Sequence, residues 1–317
     1  MKKSLIALAV LATAGLGFSG VAAAQSSVTL YGVADAGIGK AKSAGDDRVH
    51  MLSSSMMNNG TSRLGVRGVE DLGSGLKVGF NFEQGLSLND GRGNLSGGNT
   101  WSRAANVWIG GDWGTFKMGR TLNPSFFGVA AWELTGTANY SVVGNTYNFA
   151  DSGARNSSQF SYKTPNFNGL SAELGYIFKS DNVIGGVERE KWDANVVYAN
   201  GPIAAGLSVN KTKDFKTHYS LGGKYNFGQF AVAASYSDTG ETNLRRRGFS
   251  LGGSFNTGPF TATLDLTRDT KNDVGPKKYT NGLLEGKYAL SKRTFVYAAY
   301  LRFDGENNYG IGMRHNF

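Results

Sequence analysis

Thr217-His218-Tyr219-Ser220-Leu221-Gly222-Gly223-Lys224-Tyr225-Asn226-Phe227 is the stretch that decides the fold class. Its odd positions carry Thr217, Tyr219, Leu221, Gly223, Tyr225 and Phe227, while its even positions carry His218, Ser220, Gly222, Lys224 and Asn226. A period of two is the signature of a strand with one apolar and one polar face. The division recurs at Leu170, Ala172, Leu174, Tyr176 and Phe178 against Ser171, Glu173 and Gly175. It recurs again at Phe260, Ala262, Leu264 and Leu266 against Thr261, Thr263 and Asp265. Helical spacing is nearly absent, and Gly, Asn, Asp and Ser separate the alternating segments.

A soluble sandwich alternates too, but it must stack its apolar faces inside. Strands that are apolar on one face only also suit a membrane barrel, which turns that face to lipid and the polar face to a wet lumen. Three features favour the barrel. The segments match the roughly 9–11 residues of a membrane-crossing strand, Phe and Tyr enrich the apolar face, and short connections alternate with long ones. The short ones are Asp71–Gly75, Asp112-Trp113-Gly114, Asn166–Gly169, Gly201-Pro202 and Ser291-Lys292, and the long ones include Lys40–Gly60, Leu88–Asn99 and a stretch from Thr121 to Ala154. The expected architecture is therefore all-β, a transmembrane antiparallel β-barrel of about 16 strands. Closure removes the edge strands that lipid cannot satisfy.

Lys2 and Lys3 precede an apolar run from Leu5 to about Val21 that ends in Ala22-Ala23-Ala24, so residues 1–24 read as a cleaved secretory signal and Gln25 as the start of the mature chain. Without it the chain carries 31 bases against 24 acids, a formal +7. No basic run is interleaved with aromatics, and with export this argues against a nucleic-acid partner. Cysteine is absent, which excludes a disulfide framework and Cys-based zinc or redox chemistry. No second stretch has the roughly twenty apolar residues of a membrane helix. Gly91–Gly98 lacks the Gly-Lys-Ser/Thr ending of a phosphate loop and reads as surface loop. No internal boundary appears, so residues 25–317 are expected to form one domain.

Several pieces, Ser27–Gly32 with Asp35, Thr61–Gly73 and the ending Tyr309–Phe317 among them, resemble the general diffusion porins of the β-proteobacterial and neisserial kind. Ser27-Val28-Thr29-Leu30-Tyr31-Gly32, with Asp35, is similar to that family's first strand, and Thr61–Gly73 to its second strand and first turn. Gly114–Arg120, Ser158–Pro165 with Gly169, Leu290–Thr294 and the ending Tyr309–Phe317 extend the resemblance along the whole mature chain. It implies a sixteen-stranded, usually trimeric barrel in the outer membrane, passing small hydrophilic solutes and ions. Its neighbours there would be outer-membrane lipid and lipopolysaccharide. It also implies that the long third extracellular loop, beginning Asn123-Pro124-Ser125-Phe126-Phe127-Gly128, folds into the pore. In the last strand Tyr309, Ile311, Met313 and Phe317 share a face with His315. In the family such a pattern resembles the signal read by the barrel-assembly machinery during biogenesis.

Charges in phase with the polar face are expected in the lumen. On that test Arg63, Arg67, Lys77, Lys117 and Arg155 form a basic wall, with Arg120 at the base of the third loop. Lys191, Lys224, Lys287, Arg302 and Arg314 also read as inward, as do Asp35, Glu83, Glu173, Asp193, Asp265 and Glu285; Arg103 is ambiguous. Glu133 and Asp151 are the candidate acids of the facing loop. Such a wall concentrates anions, so weak to moderate anion selectivity is expected. The competing reading is that each base only solvates a wet wall, since a one-residue bulge reverses the phase.

Catalysis finds little material. Gly248-Phe249-Ser250-Leu251-Gly252 fits a nucleophile-elbow pattern, but Ser250 lies within alternation rather than at a strand-to-helix turn. Only His50, His218 and His315 are available for a triad or metal cluster, and neither a cofactor nor a metal is expected. A lipase-like barrel enzyme would need a Ser–His pair at the lipid-facing rim, and a structural or adhesive barrel would lack an open pore. An absence of ester hydrolysis by the purified protein disposes of the first, and planar-bilayer recording separates the second from a channel.

Overall fold

The computed structural model describes residues 26–42, 47–93, 99–148, 153–240 and 245–317. Sixteen antiparallel strands close into a barrel. They are β1 (Ser27–Lys40), β3 (Arg63–Gly73), β4 (Leu76–Gly85), β5 (Ala104–Gly111), β6 (Gly114–Leu122), β7 (Arg155–Lys163), β8 (Leu170–Ile177), β11 (Lys191–Asn200), β12 (Ile203–Thr212), β13 (His218–Asn226), β14 (Phe230–Asp238), β15 (Arg246–Thr257), β16 (Phe260–Asn272), β17 (Thr280–Ala289), β18 (Thr294–Phe303) and β19 (Glu306–Asn316). Three short strands belong to connections: β2 (His50–Ser53), β9 (Val183–Ile184) and β10 (Val187–Glu188). Two helices, α1 (Pro124–Ala130) and α2 (Val142–Tyr147), lie between β6 and β7.

Closure depends on β1. Its first half, Ser27–Val33, pairs with Val69–Arg63 of β3, and its second half, Val33–Lys40, pairs with Asn316–Tyr309 of β19. Phe317 completes the seam: its N–H donates to the Gly32 carbonyl at 3.1 Å, and the Gly32 N–H donates to the Phe317 carbonyl at 3.0 Å. Only glycine fits there, because a Cβ on residue 32 would lie 2.3 Å from the Phe317 ring.

The connections at the β3–β4 end of the barrel are short, as the sequence indicates. Asn168 and Gly169, which end the β7–β8 connection, both hold positive φ (53° and 97°), a conformation Asn and Gly tolerate best. The strict alternation of short and long fails once. β18 and β19 are joined at the long-loop end by Asp304-Gly305 alone, with φ of 50° and 88°, the geometry of a two-residue hairpin turn.

Burial is inverted relative to a soluble protein. Leu174, Leu221 and Ile311 are 57%, 58% and 63% exposed on the outer face, whereas Ser208, Ser220, Ser237, Asn210, Thr263 and Thr267 are buried inside. Buried hydroxyls pair across strands, with Ser220 and Ser237 oxygens 2.8 Å apart and those of Ser235 and Ser250 2.6 Å apart. Ser250 is thus one rung of a hydroxyl ladder in β15, without the strand-to-helix turn of a nucleophile elbow.

One strand departs from the expectation that each is apolar on a single face. In β18, Tyr297, Ala299 and Leu301 are buried inside while Val296, Ala298 and Tyr300 alternate with them on the exposed face. The inner set joins Leu283 of β17, Leu52 and Met57 of the first long loop, and residues between β6 and β7 in an apolar cluster inside the barrel. The phase of β18 carries Arg302 outward, against the inward placement expected from sequence, because a strand apolar on both faces gives alternation nothing to anchor on.

The outward phase makes a direct prediction. Leu221→Lys or Leu174→Lys is expected to cost about 2–4 kcal/mol of folding stability near the bilayer midplane. Thr29→Glu, at an exposed position lining the lumen opposite Arg67, is expected to cost little. Urea titration of protein refolded in lipid vesicles measures both, and equal damage would contradict the assignment of faces.

Candidate pore and its lining

The segment between β6 and β7 begins with a built helix start. The Asn123 side chain accepts from the Phe126 N–H at 2.8 Å and Pro124 takes the first helical position, where a missing N–H costs nothing. In α2, Ser141 caps the Gly144 N–H at 3.1 Å, and Asn148 ends the helix in the left-handed conformation.

This segment packs on the inner side of the wall from β11 to β18. Asp193 of β11 accepts from the Ser125 N–H at 2.7 Å and its hydroxyl at 2.6 Å, and Asn195 donates to the Pro124 carbonyl at 2.7 Å. Ser208 of β12 donates to the Ser125 carbonyl at 2.8 Å. Further along, Tyr140 donates to Glu285 of β17 at 2.6 Å, and the Thr146 and Thr267 hydroxyls meet at 2.9 Å. Burial and the Glu285 carboxylate push the Tyr140 phenol well above its ordinary pKa, so it stays a donor.

Wall glycines are sockets for this segment. A Cβ at Gly206 would lie 2.0 Å from the Gly128 carbonyl oxygen, and one at Gly222 would lie 2.3 Å from the Trp132 indole. A Cβ at Gly248 would meet the Tyr147 hydroxyl at 2.4 Å, and one at Gly252 would meet Leu134 at 2.8 Å. The two glycines of the apparent nucleophile elbow are therefore docking sites for a loop.

The packing sorts the lumen charges. Asp35, Glu173, Asp193, Asp265 and Glu285 do face inward, yet all five are buried. Asp35 accepts from the Tyr297 hydroxyl at 2.6 Å, Asn58 at 3.0 Å and the Gly60 N–H at 2.8 Å. Six bases, most of them on or beside β3 to β7, are left facing two cavities. One, of about 620 Å³, is lined by Arg67, Lys117, Arg103 and Arg155; the other, of about 560 Å³, by Arg63, Arg314, Arg103 and Arg155. Both share Arg103, Arg155 and Leu122. Among the described residues the lone acid lining either cavity is Glu83. Its carboxylate lies 2.7 Å from Arg103 Nε and 3.3 Å from Arg63 Nε, and accepts from the Tyr31 hydroxyl at 3.0 Å. Arg155 Nε donates to the Arg103 carbonyl at 2.9 Å, and the Arg67 guanidinium lies over the Tyr31 ring at 5.1 Å.

Of the six bases picked from the sequence, Arg63, Arg67, Lys117 and Arg155 therefore line these cavities and two do not. Lys77 lies next to the short β3–β4 turn, opposite Asp71. Arg120 pairs with Ala105, out of phase with Lys117, and donates to the Ser102 carbonyl at 2.6 Å and the Ser157 hydroxyl at 2.6 Å. The register shifts beside it, between Gly119 and Thr121. Glu133 also differs from its expected role: it is buried, and its carboxylate accepts from the Thr135 and Thr137 N–H groups and the Thr135 and Ser141 hydroxyls at 2.6–2.9 Å. It braces the segment instead of facing water. Asp151 lies outside the described residues.

Sequence reasoning missed Arg103 and Arg314 as partners in the basic wall. Arg103 stands one residue before β5, where alternation has no purchase, and Arg314 was readable as inward but lies far away in sequence. At the seam, Tyr309, Ile311, Met313 and Phe317 are all exposed outward as expected. His315 accepts or donates to the Thr294 hydroxyl at 2.8 Å and stacks on Phe317.

A closed sixteen-stranded barrel, greasy outside and polar inside, defines an outer-membrane diffusion channel. The chain belongs to the Gram-negative porin family, whose model matches residues 7–308. Outer membrane porin protein 32 of Delftia acidovorans is 38% identical over 245 residues, covering 72% of this chain and 67% of that one. Major outer membrane protein P.IB of Neisseria meningitidis serogroup A is 28% identical over 359 residues and covers 100% of both. The solved structure of an anion-selective porin from Comamonas acidovorans superposes with a TM-score of 0.76 at 29% identity, covering 92% of this chain and 100% of that one. These relatives are passive channels and not enzymes, and the protein is located in the outer membrane.

The sockets are testable through conductance. Gly222→Ile drives a side chain into the Trp132 indole and is expected to loosen the packed segment, raising single-channel conductance and current noise. Gly223→Ile, whose Cβ has nothing nearer than 3.8 Å, is the control expected to leave both unchanged.

Proposed function

We propose that this porin works as a homotrimer of passive pores that admit small hydrophilic solutes and prefer anions moderately. The constriction lies where the two cavities meet, at Arg103 and Arg155, with Arg63, Arg67, Lys117 and Arg314 around it. The observation that carries this reading is the sorting of charge around the two cavities: among the described residues six bases line them against Glu83, while the five inward acids named above are buried. Fixed cations in a narrow aqueous gap raise the local anion concentration. The anion-selective porin of Comamonas acidovorans, similar across its whole length, supports the sign.

On this reading a signal peptide is removed after Ala24, and the exposed face of Tyr309, Ile311, Met313 and Phe317 is the mark by which assembly machinery recognises the barrel. Amino-terminal sequencing of the outer-membrane protein is expected to begin at Gln25. Deleting Phe317 is expected to impair assembly more than export, since it removes the pair of seam hydrogen bonds to Gly32. Retention of Met1 in a cytoplasmic fraction would refute both.

Selectivity is read from the reversal potential in a potassium chloride gradient. Wild type is expected on the anion side, and Arg103→Gln with Arg155→Gln is expected to move it toward cations with the trimer intact. Raising salt weakens the preference, because screening tightens from about 10 Å at 0.1 M to about 3 Å at 1 M. A cation-selective wild-type pore would overturn the sign while leaving the channel standing.

A further inference from the structure

Arg302, the base whose phase turns outward, stands over an apolar groove of about 750 Å³ on the outer face of β16, β17 and β18. Strand register arranges this face in rows. Leu264, Leu284 and Tyr300 form the lower row, and Leu266, Gly282 and Arg302 the next; Gly282 has no side chain, so Leu266 and Arg302 flank a notch. Above them Arg268 stands beside Thr280 and donates to its hydroxyl at 2.9 Å, and Lys277 and Lys278 border the groove from the β16–β17 loop.

These bases differ from their neighbours at the same rim. Arg245 pairs with Asp238, Arg246 with Asp269 at 2.7 Å and Asp304 at 2.8 Å, Lys271 with Asp273 at 3.2 Å, and Lys42 with Glu306 at 2.5 Å. Among the described residues, Arg268, Lys277, Lys278 and Arg302 have no acidic partner, and none of the residues lining the groove is acidic. Four exposed cations gathered on one face repel one another unless an anion sits among them. Apolar surface toward the bilayer centre with cations at its edge matches an anionic lipid, acyl chain below and phosphate above.

We infer that this groove is a binding site for the phosphorylated glycolipid anchor of lipopolysaccharide, with Arg268, Lys277, Lys278 and Arg302 holding its phosphates and Leu264, Leu266 and Leu284 an acyl chain. The assignment rests on the outer-membrane reading with the long loops facing the cell exterior, where that lipid forms the leaflet. It is independent of the pore's selectivity.

The test uses the refolded mature protein in mixed micelles, with bound lipid counted by native mass spectrometry. Wild type is expected to retain diphosphorylated lipid A in preference to dephosphorylated lipid A, and millimolar inorganic phosphate is expected not to displace it. The variant Arg268→Gln/Lys278→Gln/Arg302→Gln is expected to bind on the order of a hundredfold more weakly. Lys277→Gln/Lys278→Gln, confined to the loop, is expected to lose roughly tenfold or more. Arg67→Gln, a lumen change, is expected to bind as wild type, and unchanged single-channel conductance of the groove variants shows that their barrels are intact. Equal retention of the dephosphorylated lipid, or full retention by both groove variants, overturns the site. Dissociation of the groove variants into monomers in lipid-free detergent also overturns it, and identifies the face as a subunit contact instead.

Discussion

A backbone amide in hydrocarbon has no water to turn to, and every other feature of this molecule follows from satisfying that demand. A sheet meets it by closing, and here the closure rests on one strand, β1, which pairs with β3 along its first half and with β19 along its second. Once the ring is shut, lipid takes the apolar faces and the polar faces are left to line a space. That is why hydroxyls and amides fill the buried set while leucines and phenylalanines are exposed.

The interior so created is polar along much of its wall, and the segment between β6 and β7 fills it both by hydrogen bonding and through the apolar cluster it shares with β17 and β18. Its contacts with the wall run through Ser125, Pro124, Tyr140 and Thr146, and through close backbone approach at Gly206 and Gly222. Each inward acid that this packing or the first loop covers is withdrawn from the aqueous field; Asp193 and Asp35 gain several donors in exchange. The bases of β3, β6 and β7 have no such cover. A modest excess of positive charge in the sequence becomes, through folding, a one-sided basic wall.

The strands, the short turns and the outward seam face were legible because each repeats a local rule: period two, or Gly and Asn at tight turns. The sites went wrong where that rule has no hold. β18 is apolar on both faces, so nothing local showed that Arg302 points outward. Arg120 lies at a register shift, beside a strand in which Ser158 takes φ of 49°. Glu133 is satisfied by Thr135, Thr137 and Ser141, a closed local network that alternation does not see. Arg103 joins Glu83 from outside any strand, and Ser220, inward as expected, is sealed against Ser237 instead of meeting water.

The polar anchoring and close approaches of the packed segment run through serine, threonine, asparagine and glycine, and the basic wall stands across the lumen from most of those contacts. The fit of the packed segment and the basic charge of the wall are therefore carried by different residues. In evolutionary terms the two traits are modular: a lineage can replace one arginine of the wall at a time without disturbing the sockets that hold the segment. The strands that bear the loop contacts are constrained by fit, whereas Arg63, Arg67, Lys117 and Arg155 are free to follow the nutrients and toxins of a new habitat.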